Sequence, residues 1–161
     1  MFNEMRENHF NNNNLKLLYM ANERDIILAE DDTDDLLFFE MAIKETGVPV
    51  ALRHAKDGTV LFILLEEHIP ELLFLDINMP CKDGVSCIRE IRQSKEYDHL
   101  PVIMYTSNLF KKTIEDCYRN GANFYLAKPD TLSQLSEKLK KVFSLDWPEA
   151  MPFPAMDQFL I

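Results

Sequence analysis

The apolar run Leu72–Leu75, followed directly by Asp76, constrains the fold of this chain more than any other stretch. Four consecutive apolar residues predict a strand that is buried on both faces, as in a parallel sheet. Asp76 marks the point where this strand leaves the core, and Met79-Pro80 and Asp83-Gly84 predict a loop before the next helix. Because open parallel sheets bind ligands at the carboxyl ends of their strands, Asp76 lies where a functional site is expected.

Short apolar runs alternate with amphipathic segments along residues 25–143. The predicted strands are 26–29, 50–54, 72–76, 102–105 and 123–127, and the predicted helices are 33–46, 58–67, 84–95, 109–120 and 132–143. This alternation predicts a parallel sheet covered on both faces by right-handed crossovers. The predicted fold class is α/β, a doubly wound five-stranded parallel sheet with strand order 2-1-3-4-5.

The segments on either side of this core differ from it in composition. Residues 1–24 carry the asparagine run Asn11–Asn14 and little to bury, which predicts a poorly ordered leader. Residues 144–161 are apolar and hold three of the eight prolines, which predicts an irregular arm. We therefore expect one stand-alone domain at 25–143, with an arm too short to form a DNA-binding output domain.

The acidic composition excludes several partners. The formal net charge of −10 argues against sequence-independent binding to nucleic acid or to anionic membranes. Three cysteines without a CxxC pair favour reduced thiols over a disulfide frame or a zinc site. Because no apolar run is long enough to span a bilayer, we expect a cytoplasmic protein.

Acidic residues end two strands that the predicted order places side by side. Strand one ends on Glu30-Asp31 and strand three on Asp76, on either side of the point where the strand order reverses. Two like charges about 4 Å apart cost roughly 4 kcal/mol at an effective dielectric near 20, so the cluster needs relief. Protonation would supply it, but a hard cation such as Mg²⁺ suits three carboxylates with open water positions better.

Strands four and five end on a hydroxyl and a cation. Thr106 follows the fourth strand and Lys128 the fifth, where Lys128 can pair with Asp76. A metal ion and an ammonium group can stabilise the oxygens of a transferring phosphoryl group while an aspartate attacks in line. Asp76 is the predicted nucleophile because it lies between the acidic pair and the Thr106–Lys128 pair.

Four stretches together resemble the receiver domain of two-component response regulators. They are Ile27–Asp32, Leu73–Pro80 with Asp83-Gly84, Met104–Ser107 and Tyr125–Pro129. The resemblance implies a flavodoxin-like receiver fold that accepts a phosphoryl group from a sensor histidine kinase. It implies no enzyme proper, but a domain that assists its own phosphorylation and dephosphorylation. The acidic start also resembles the small regulators that accompany phytochrome-like kinases.

The resemblance implies a role for each matching residue. Asp76 is the implied phosphoacceptor. The implied Mg²⁺ ligands are Asp31, Asp76 and the backbone carbonyl of Asn78, with Glu30 helping through water. The implied phosphoryl contacts and switch residues are Thr106, Lys128, Ser107 and Tyr125.

Two further features follow from the same resemblance. The Lys128–Pro129 bond is implied to be a cis peptide, which an X–Pro bond permits at modest cost. Asn78 and Asn108 occupy the positions that tune dephosphorylation. Because amides do not take up protons at neutral pH, we expect them to orient water rather than to act as bases.

Two other classes fit parts of the pattern. A phosphatase of the haloacid dehalogenase type also uses an aspartate nucleophile and Mg²⁺, but it needs a second aspartate where this chain has Asn78. A receiver that only binds partners would lack one of Asp31, Asp76 and Lys128, and all three are present. The nearby Asp34 and Asp35 are interpreted as charges that favour the start of a helix.

Output is expected to use protein contact, because no effector domain is predicted. The surface formed by the fourth helix, fifth strand and fifth helix lies next to Thr106 and Tyr125, and the arm starts beside it. Trp147, Phe153 and Phe159 are aromatic anchors of the kind that interfaces favour. We expect the arm to bury them against its own domain or a second copy, which makes a homodimer a further prediction.

Overall fold

The computed structural model describes residues 23–145, Trp147 and residues 153–161. Its strands are β1 Arg24–Ala29, β2 Val50–Ala55, β3 Leu72–Leu75, β4 Val102–Thr106 and β5 Phe124–Ala127. Its helices are α1 Thr33–Thr46, α2 Gly58–Glu67, α3 Gly84–Gln93, α4 Lys111–Arg119 and α5 Leu132–Ser144, with 3₁₀ turns at Lys95–Tyr97 and Met156–Gln158. The predicted leader falls almost wholly outside the described residues, although Arg24 already belongs to β1.

The five strands form one parallel sheet in the predicted order β2-β1-β3-β4-β5. Ala29 at the end of β1 lies opposite Ala55 on one side and Leu75 on the other. Leu75 in turn lies opposite Met104 of β4. Since neighbouring strands end at nearly the same level, the polar residues that follow them gather at one edge of the sheet.

Helices cover both faces of the sheet. On one face Phe39 of α1 and Leu139 of α5 pack in the same cluster as Phe74 of β3. On the other face Leu61 of α2 and Ile88 of α3 pack in a second cluster, which α4 also joins. All four residues of β3 are buried, as the apolar run predicts, because the strand has helices on both sides.

Short polar side chains start the helices that flank the site. Asp32, Asp57 and Asp83 each accept backbone amides of the first turn of α1, α2 and α3. Gly47 closes α1 with a φ of 74°, a left-handed conformation that glycine adopts without a steric penalty. These caps confirm the predicted starts at residues 33, 58 and 84 and the predicted glycine end of α1.

Two helices are shorter than predicted. The α3 helix ends at Gln93 because Ser94 is extended, and a 3₁₀ turn follows it. The α4 helix begins at Lys111 rather than at residue 109. The side chain of Asn108 accepts the amide of Phe110 at 3.0 Å and so holds the preceding residues in a loop.

The C-terminal residues 153–161, called the tail below, pack against the free side of β5. Leu160 forms a parallel bridge with Tyr125, and the Phe159 side chain is fully buried. Trp147 is half-buried, with its ring 5.9 Å from that of Phe124. Phe153 is 57% exposed, so its own domain buries two of the three predicted aromatic anchors and leaves Phe153 in solvent.

No helix within the described ranges is both long enough and apolar enough to cross a membrane.

Candidate functional site

Three carboxylates meet at the carboxyl edge of the sheet. Glu30 and Asp31 follow β1 and Asp76 follows β3, and each offers an oxygen that lies within 4.8 Å of the other two. Glu30 is 1% exposed and Asp76 is 4% exposed, whereas Asp31 faces solvent. The carboxylate cluster predicted from the strand ends is therefore present.

Backbone hydrogen bonds fix the two strand ends that carry these acids. The amide of Asp76 donates to the carbonyl of Ala29 at 2.9 Å, and the amide of Glu30 donates to the carbonyl of Ala55 at 2.9 Å. The ring nitrogen Nε2 of His54 lies 2.7 Å from the carbonyl oxygen of Glu30, to which it donates. The acids thus extend from backbone that the sheet itself holds in place.

Gly84 lets α3 begin directly against the end of β3. A side chain at this position would collide with the backbone carbonyl of Asp76. The Gly84 amide donates to the carbonyl of Ile77 at 2.9 Å, which closes the loop between β3 and α3. Glycine is therefore required here for close approach of backbone, and it keeps the loop tight around Asp76.

The ammonium group of Lys128 enters the acidic cluster from the end of β5. Its Nζ lies 2.6 Å from Glu30 Oε2, 2.7 Å from Asp35 Oδ2 and 3.9 Å from Asp76 Oδ1. The predicted pairing with Asp76 is thus the longest of three ion pairs. The interpretation of Asp35 as a helix-start charge was incomplete, because its carboxylate reaches Lys128 from the first turn of α1.

Asp76 Oδ1 has no hydrogen-bond partner. It is the one buried side-chain nitrogen or oxygen in the described part of the chain that lacks one. An unpaired buried carboxylate oxygen is costly, so its position beside two more carboxylates favours binding of a cation. Oxygen donors from Glu30, Asp31 and Asp76 are the kind that Mg²⁺ prefers, so these residues fit a magnesium ion.

Burial and ion pairing set the protonation of this cluster. Burial raises the pKa of Glu30 above its ordinary value, against the opposing hydrogen bond and charge of Lys128. Burial lowers the pKa of Lys128, but its hydrogen bonds to Asp35 and Glu30 outweigh burial, and the net pKa is raised. Lys128 therefore remains an ammonium ion at neutral pH, able to bind the oxygens of an anion.

A chain of hydrogen bonds leads from the end of β4 to Tyr125 of β5. Thr106, fully buried at the end of β4, accepts the amide of Asn108 on its hydroxyl oxygen at 3.3 Å. The carbonyl of Asn108 accepts the hydroxyl of the fully buried Tyr125 at 2.5 Å. Burial raises the pKa of Tyr125, which keeps this hydroxyl protonated as a donor. Thr106 and Tyr125 are thus linked through a single loop residue.

The remaining predicted site residues lie at the rim. Ser107 and Asn78 are exposed, in the loops that follow β4 and β3. The expected cis bond at Lys128–Pro129 is wrong, since all peptide bonds of the described residues are trans. The trans form is the lower-energy isomer of an X–Pro bond, and the Lys128 amide still donates to the Thr106 carbonyl at 2.9 Å.

Asp35 is the site residue that sequence reasoning missed. Its position in the first turn of a helix has an ordinary explanation in the helix dipole, which hid its second role. One signal was available. A lysine that enters a cluster of carboxylates can pair with more than one of them. The acidic residues in the first turn of the adjoining helix were therefore further candidate partners for Lys128.

A family model for the response regulator receiver domain matches residues 26–140. The matched range contains every member of the cluster together with Thr106, Tyr125 and Lys128. The chain belongs to the response regulator receiver domain family. This confirms the resemblance and decides against a haloacid dehalogenase phosphatase.

Individual relatives agree with this assignment. Chemotaxis protein CheY-3 of Vibrio cholerae is 34% identical over 91 residues, which is 56% of this chain and 70% of that protein. Response regulator Rcp1 of Synechocystis sp. is 27% identical over 137 residues, 81% of this chain and 92% of that protein.

Solved structures show the same fold. The Mn²⁺-bound form of Rcp1 matches with a TM-score of 0.69 at 27% identity, covering 82% of this chain and 99% of that one. The receiver domain of a sensor histidine kinase from Pseudomonas aeruginosa PAO1, with magnesium in its active-site cleft, matches with a TM-score of 0.63. That match is 28% identical and covers 74% of this chain and 96% of the other. The predicted flavodoxin-like receiver fold is confirmed.

Proposed function

We propose that this chain is a response regulator receiver of a two-component phosphorelay, in which Asp76 accepts a phosphoryl group from the phosphohistidine of a sensor kinase. One observation carries the proposal. The buried Asp76 Oδ1 has no hydrogen-bond partner, although carboxylate oxygens of Glu30 and Asp31 and the Lys128 ammonium surround it. A carboxylate left unpaired beside a cation-binding cluster is available as a nucleophile.

Magnesium is the cofactor that this donor set fits. Asp31, Asp76 and the backbone carbonyl of Asn78 would hold it, and Glu30 would assist through water. Glu30 suits the indirect role because Lys128 and the Asp32 amide already occupy its two oxygens, at 2.6 and 3.1 Å. When bound, Mg²⁺ supplies positive charge that neutralises the acids and the incoming phosphoryl oxygens.

The chain's own residues would carry out the transfer. An oxygen of Asp76 attacks the phosphorus in line, the phosphorus–nitrogen bond of the phosphohistidine breaks, and its electron pair stays on the imidazole. Lys128 stabilises charge on the phosphoryl oxygens, and Thr106 and Ser107 donate hydroxyl hydrogen bonds to them. The product is an aspartyl phosphate, so the protein is modified by the reaction it assists and does not act as an enzyme in the usual sense.

Hydrolysis of this acyl phosphate would be tuned from the two loops at the rim. Asn78 is exposed and free to orient an attacking water beside Asp76. The Asn108 side chain already accepts the Phe110 amide at 3.0 Å, so its influence would be exerted through the shape of its loop. Substitutions at Asn78 or Asn108 should change the rate of dephosphorylation without blocking phosphorylation.

Partners would be the sensor kinase and a downstream phosphotransfer or effector protein in the cytoplasm, reached by protein contact. A homodimer through α4, β5 and α5 belongs to the same proposal. Three exposed apolar side chains of the tail, Phe153, Met156 and Leu160, support it, since they remain available to a second copy. Light scattering of the full chain and of a chain truncated after Ser144, with and without phosphodonor, tests the dimer.

The decisive experiment is incubation with Mg²⁺ and acetyl phosphate, followed by intact mass measurement. We expect one added phosphoryl group on the wild-type chain, lost in Asp76→Asn and lost when a chelator removes Mg²⁺. Asp34→Asn is the matched control, because Asp34 is an exposed carboxylate of the same region, and it should be modified normally. A full mass shift in Asp76→Asn, or none in the wild type with any small phosphodonor, would contradict the proposal.

A further inference from the structure

The Lys128 ammonium group lies close to a carboxylate with which it forms no hydrogen bond. Its Nζ is 3.9 Å from Asp76 Oδ1, about 1 Å beyond the usual length of a hydrogen bond between an ammonium and a carboxylate. Asp76 Oδ1 is buried and has no hydrogen-bond partner within the described residues. Because a lysine side chain is long and flexible, another interaction must keep this cation from the anion beside it.

Two other carboxylates hold the ammonium group in this position. Glu30 Oε2 accepts a hydrogen bond from Nζ at 2.6 Å, and Asp35 Oδ2 accepts another at 2.7 Å. Nζ also lies over the Tyr105 ring, 5.2 Å from its centroid. An ammonium group carries three N–H donors, so these two hydrogen bonds leave one donor for a phosphoryl oxygen on Asp76.

Asp35 is the member of this pair that lies outside the carboxylate cluster. It belongs to the first turn of α1, which is fixed in place because the Asp32 side chain accepts the amides of Asp34 and Asp35 at 2.8 and 3.2 Å. The Asp35 side chain is 41% exposed, so solvent screens the direct effect of its charge on the cluster. Its contact with Lys128 is therefore its main link to the site.

We propose that Asp35 is a positioning residue that holds Lys128 away from Asp76 and so keeps Asp76 Oδ1 free for the metal ion and the phosphorus. The inference rests on the proposed function and names a further residue of the same site. Without Asp35, the ammonium group needs to move only about 1 Å to bond Asp76 Oδ1. That bond is favourable because it satisfies a buried oxygen that otherwise lacks a partner. Asp76 would then be occupied by the lysine, and it would bind Mg²⁺ less well.

The first measurement is the affinity for Mg²⁺, determined by isothermal titration calorimetry on the full-length chain. Asp35→Ala should weaken this affinity about tenfold, within the range for residues that orient metal ligands. Asp34→Ala is the matched control, since Asp34 is an exposed acid of the same helical turn, and it should stay within about twofold of the wild type. Asp35→Glu keeps a carboxylate that can reach Lys128, so it should restore the affinity to within about threefold.

A double-mutant cycle tests whether Asp35 acts through Lys128. In a Lys128→Met background, no ammonium group competes for Asp76. Adding Asp35→Ala to this background should therefore change the Mg²⁺ affinity by less than about twofold. An equal loss of affinity in both backgrounds would show a direct effect of the Asp35 charge and would overturn the proposal.

The second measurement is the crystal structure of Asp35→Ala without divalent metal. The distance from Lys128 Nζ to Asp76 Oδ1 should shorten from 3.9 Å to about 2.8 Å. An unchanged distance would show that Asp35 does not hold the lysine away. Should Asp35→Ala not fold, Asp35→Ser decides in its place, because its side chain is uncharged and one bond shorter than that of aspartate.

The outcomes separate the two proposals. If Mg²⁺ binds but acetyl phosphate does not modify Asp76, the proposed function has failed, while the affinities and the distance still decide the role of Asp35. If the wild-type chain does not bind Mg²⁺, both proposals have failed. If Asp76 is modified but Asp35→Ala binds Mg²⁺ as tightly as the wild type, only the positioning role is overturned.

Discussion

Two partly buried cations lie in different parts of this domain and are stabilised in opposite ways. Lys128 sits at the carboxyl edge of the sheet among the carboxylates of Glu30, Asp35 and Asp76. Arg92 of α3 donates instead to the carbonyls of Gly121, Tyr97 and Leu100 at 2.8–2.9 Å and to Asn123 Oδ1 at 3.1 Å. Its acceptors are all uncharged, and burial lowers its pKa to about 10.

The difference separates a structural cation from a functional one. Each nitrogen of the Arg92 guanidinium donates to a backbone carbonyl, and four of its five N–H groups have acceptors within the fold. The Lys128 site carries more negative than positive charge and leaves Asp76 Oδ1 unpaired. We expect conformational stability to depend on Arg92 and phosphoryl chemistry to depend on Lys128. Each of the following predictions could contradict this assignment of roles.

The largest effect is expected at Lys128. Lys128→Met removes the ammonium that would stabilise the phosphoryl oxygens, so phosphorylation by acetyl phosphate should slow about 100- to 1000-fold, or about 3–4 kcal/mol. Lys112→Met, at an exposed position of α4, should stay within about twofold of the wild type. The measurement is the initial rate of the mass shift. An equal rate in Lys128→Met would assign the lysine a purely structural role.

Arg92 should show the reverse pattern. Arg92→Met leaves partly buried carbonyls without donors, and the free energy of unfolding should fall by about 2–3 kcal/mol in urea titrations. Arg89→Met on the same helix should change it by less than about 0.5 kcal/mol, because Arg89 is exposed and makes one bond of 3.3 Å. If the phosphorylation rate fell as far in folded Arg92→Met as in Lys128→Met, Arg92 would not be a purely structural cation.

Asp76→Asn should stabilise the domain when no divalent metal is present. The Asp76 carboxylate faces two carboxylates and one ammonium group, so it experiences a net repulsion. Because solvent screens the charge of Asp31, we expect the neutral asparagine to relieve this repulsion by about 1 kcal/mol. Added Mg²⁺ should stabilise the wild type more than the variant, because binding to the folded state adds to stability. Urea titrations in chelator and in Mg²⁺ test this, with Asp34→Asn as the control. A less stable Asp76→Asn in chelator would mean that the pairing with Lys128 dominates.

The smallest effect is expected in the reactivity of the three cysteine thiols, one of which lies near the accessible site and two of which lie in the buried core. Cys81 is exposed in the loop beside Asp76, whereas burial raises the pKa of Cys87 to about 11 and that of Cys117 to about 12. Iodoacetamide at pH 8 should therefore add one group to the native chain within minutes and three in urea, as counted by intact mass. Rapid native labelling of all three thiols would show that the core opens readily.

Sequence reasoning succeeded where one residue type had one plausible environment. A four-residue apolar run such as Leu72–Leu75 requires burial on both sides, and polar residues at the ends of parallel strands must gather at one edge. The sheet order, the caps at Asp57 and Gly47 and the cluster of Glu30, Asp31 and Asp76 were therefore predictable.

Sequence reasoning failed where a residue had two possible environments. Asp35 satisfies the helix dipole and Lys128 equally well, and only the folded domain, which brings Lys128 to the first turn of α1, reveals the second role. Arg92 looks like any charged residue of an amphipathic helix, because nothing along the chain shows that the segments after α3 and α4 together bring three carbonyls to it. The seat of Phe159 depends on the gap between Tyr118 and Tyr125, which exists only once α4 and β5 are packed.

The bridge between the tail and β5 also has a consequence for colloidal behaviour. An outermost strand with unpaired amides and carbonyls is a template for association with foreign strands, and proteins commonly cover such edges. Here the amide and the carbonyl of Tyr125 are both occupied by the tail. The last residues thus act as an intramolecular guard against aggregation on this side of the sheet. A chain whose tail is cut or displaced offers both groups, next to exposed apolar surface, to the next molecule it meets.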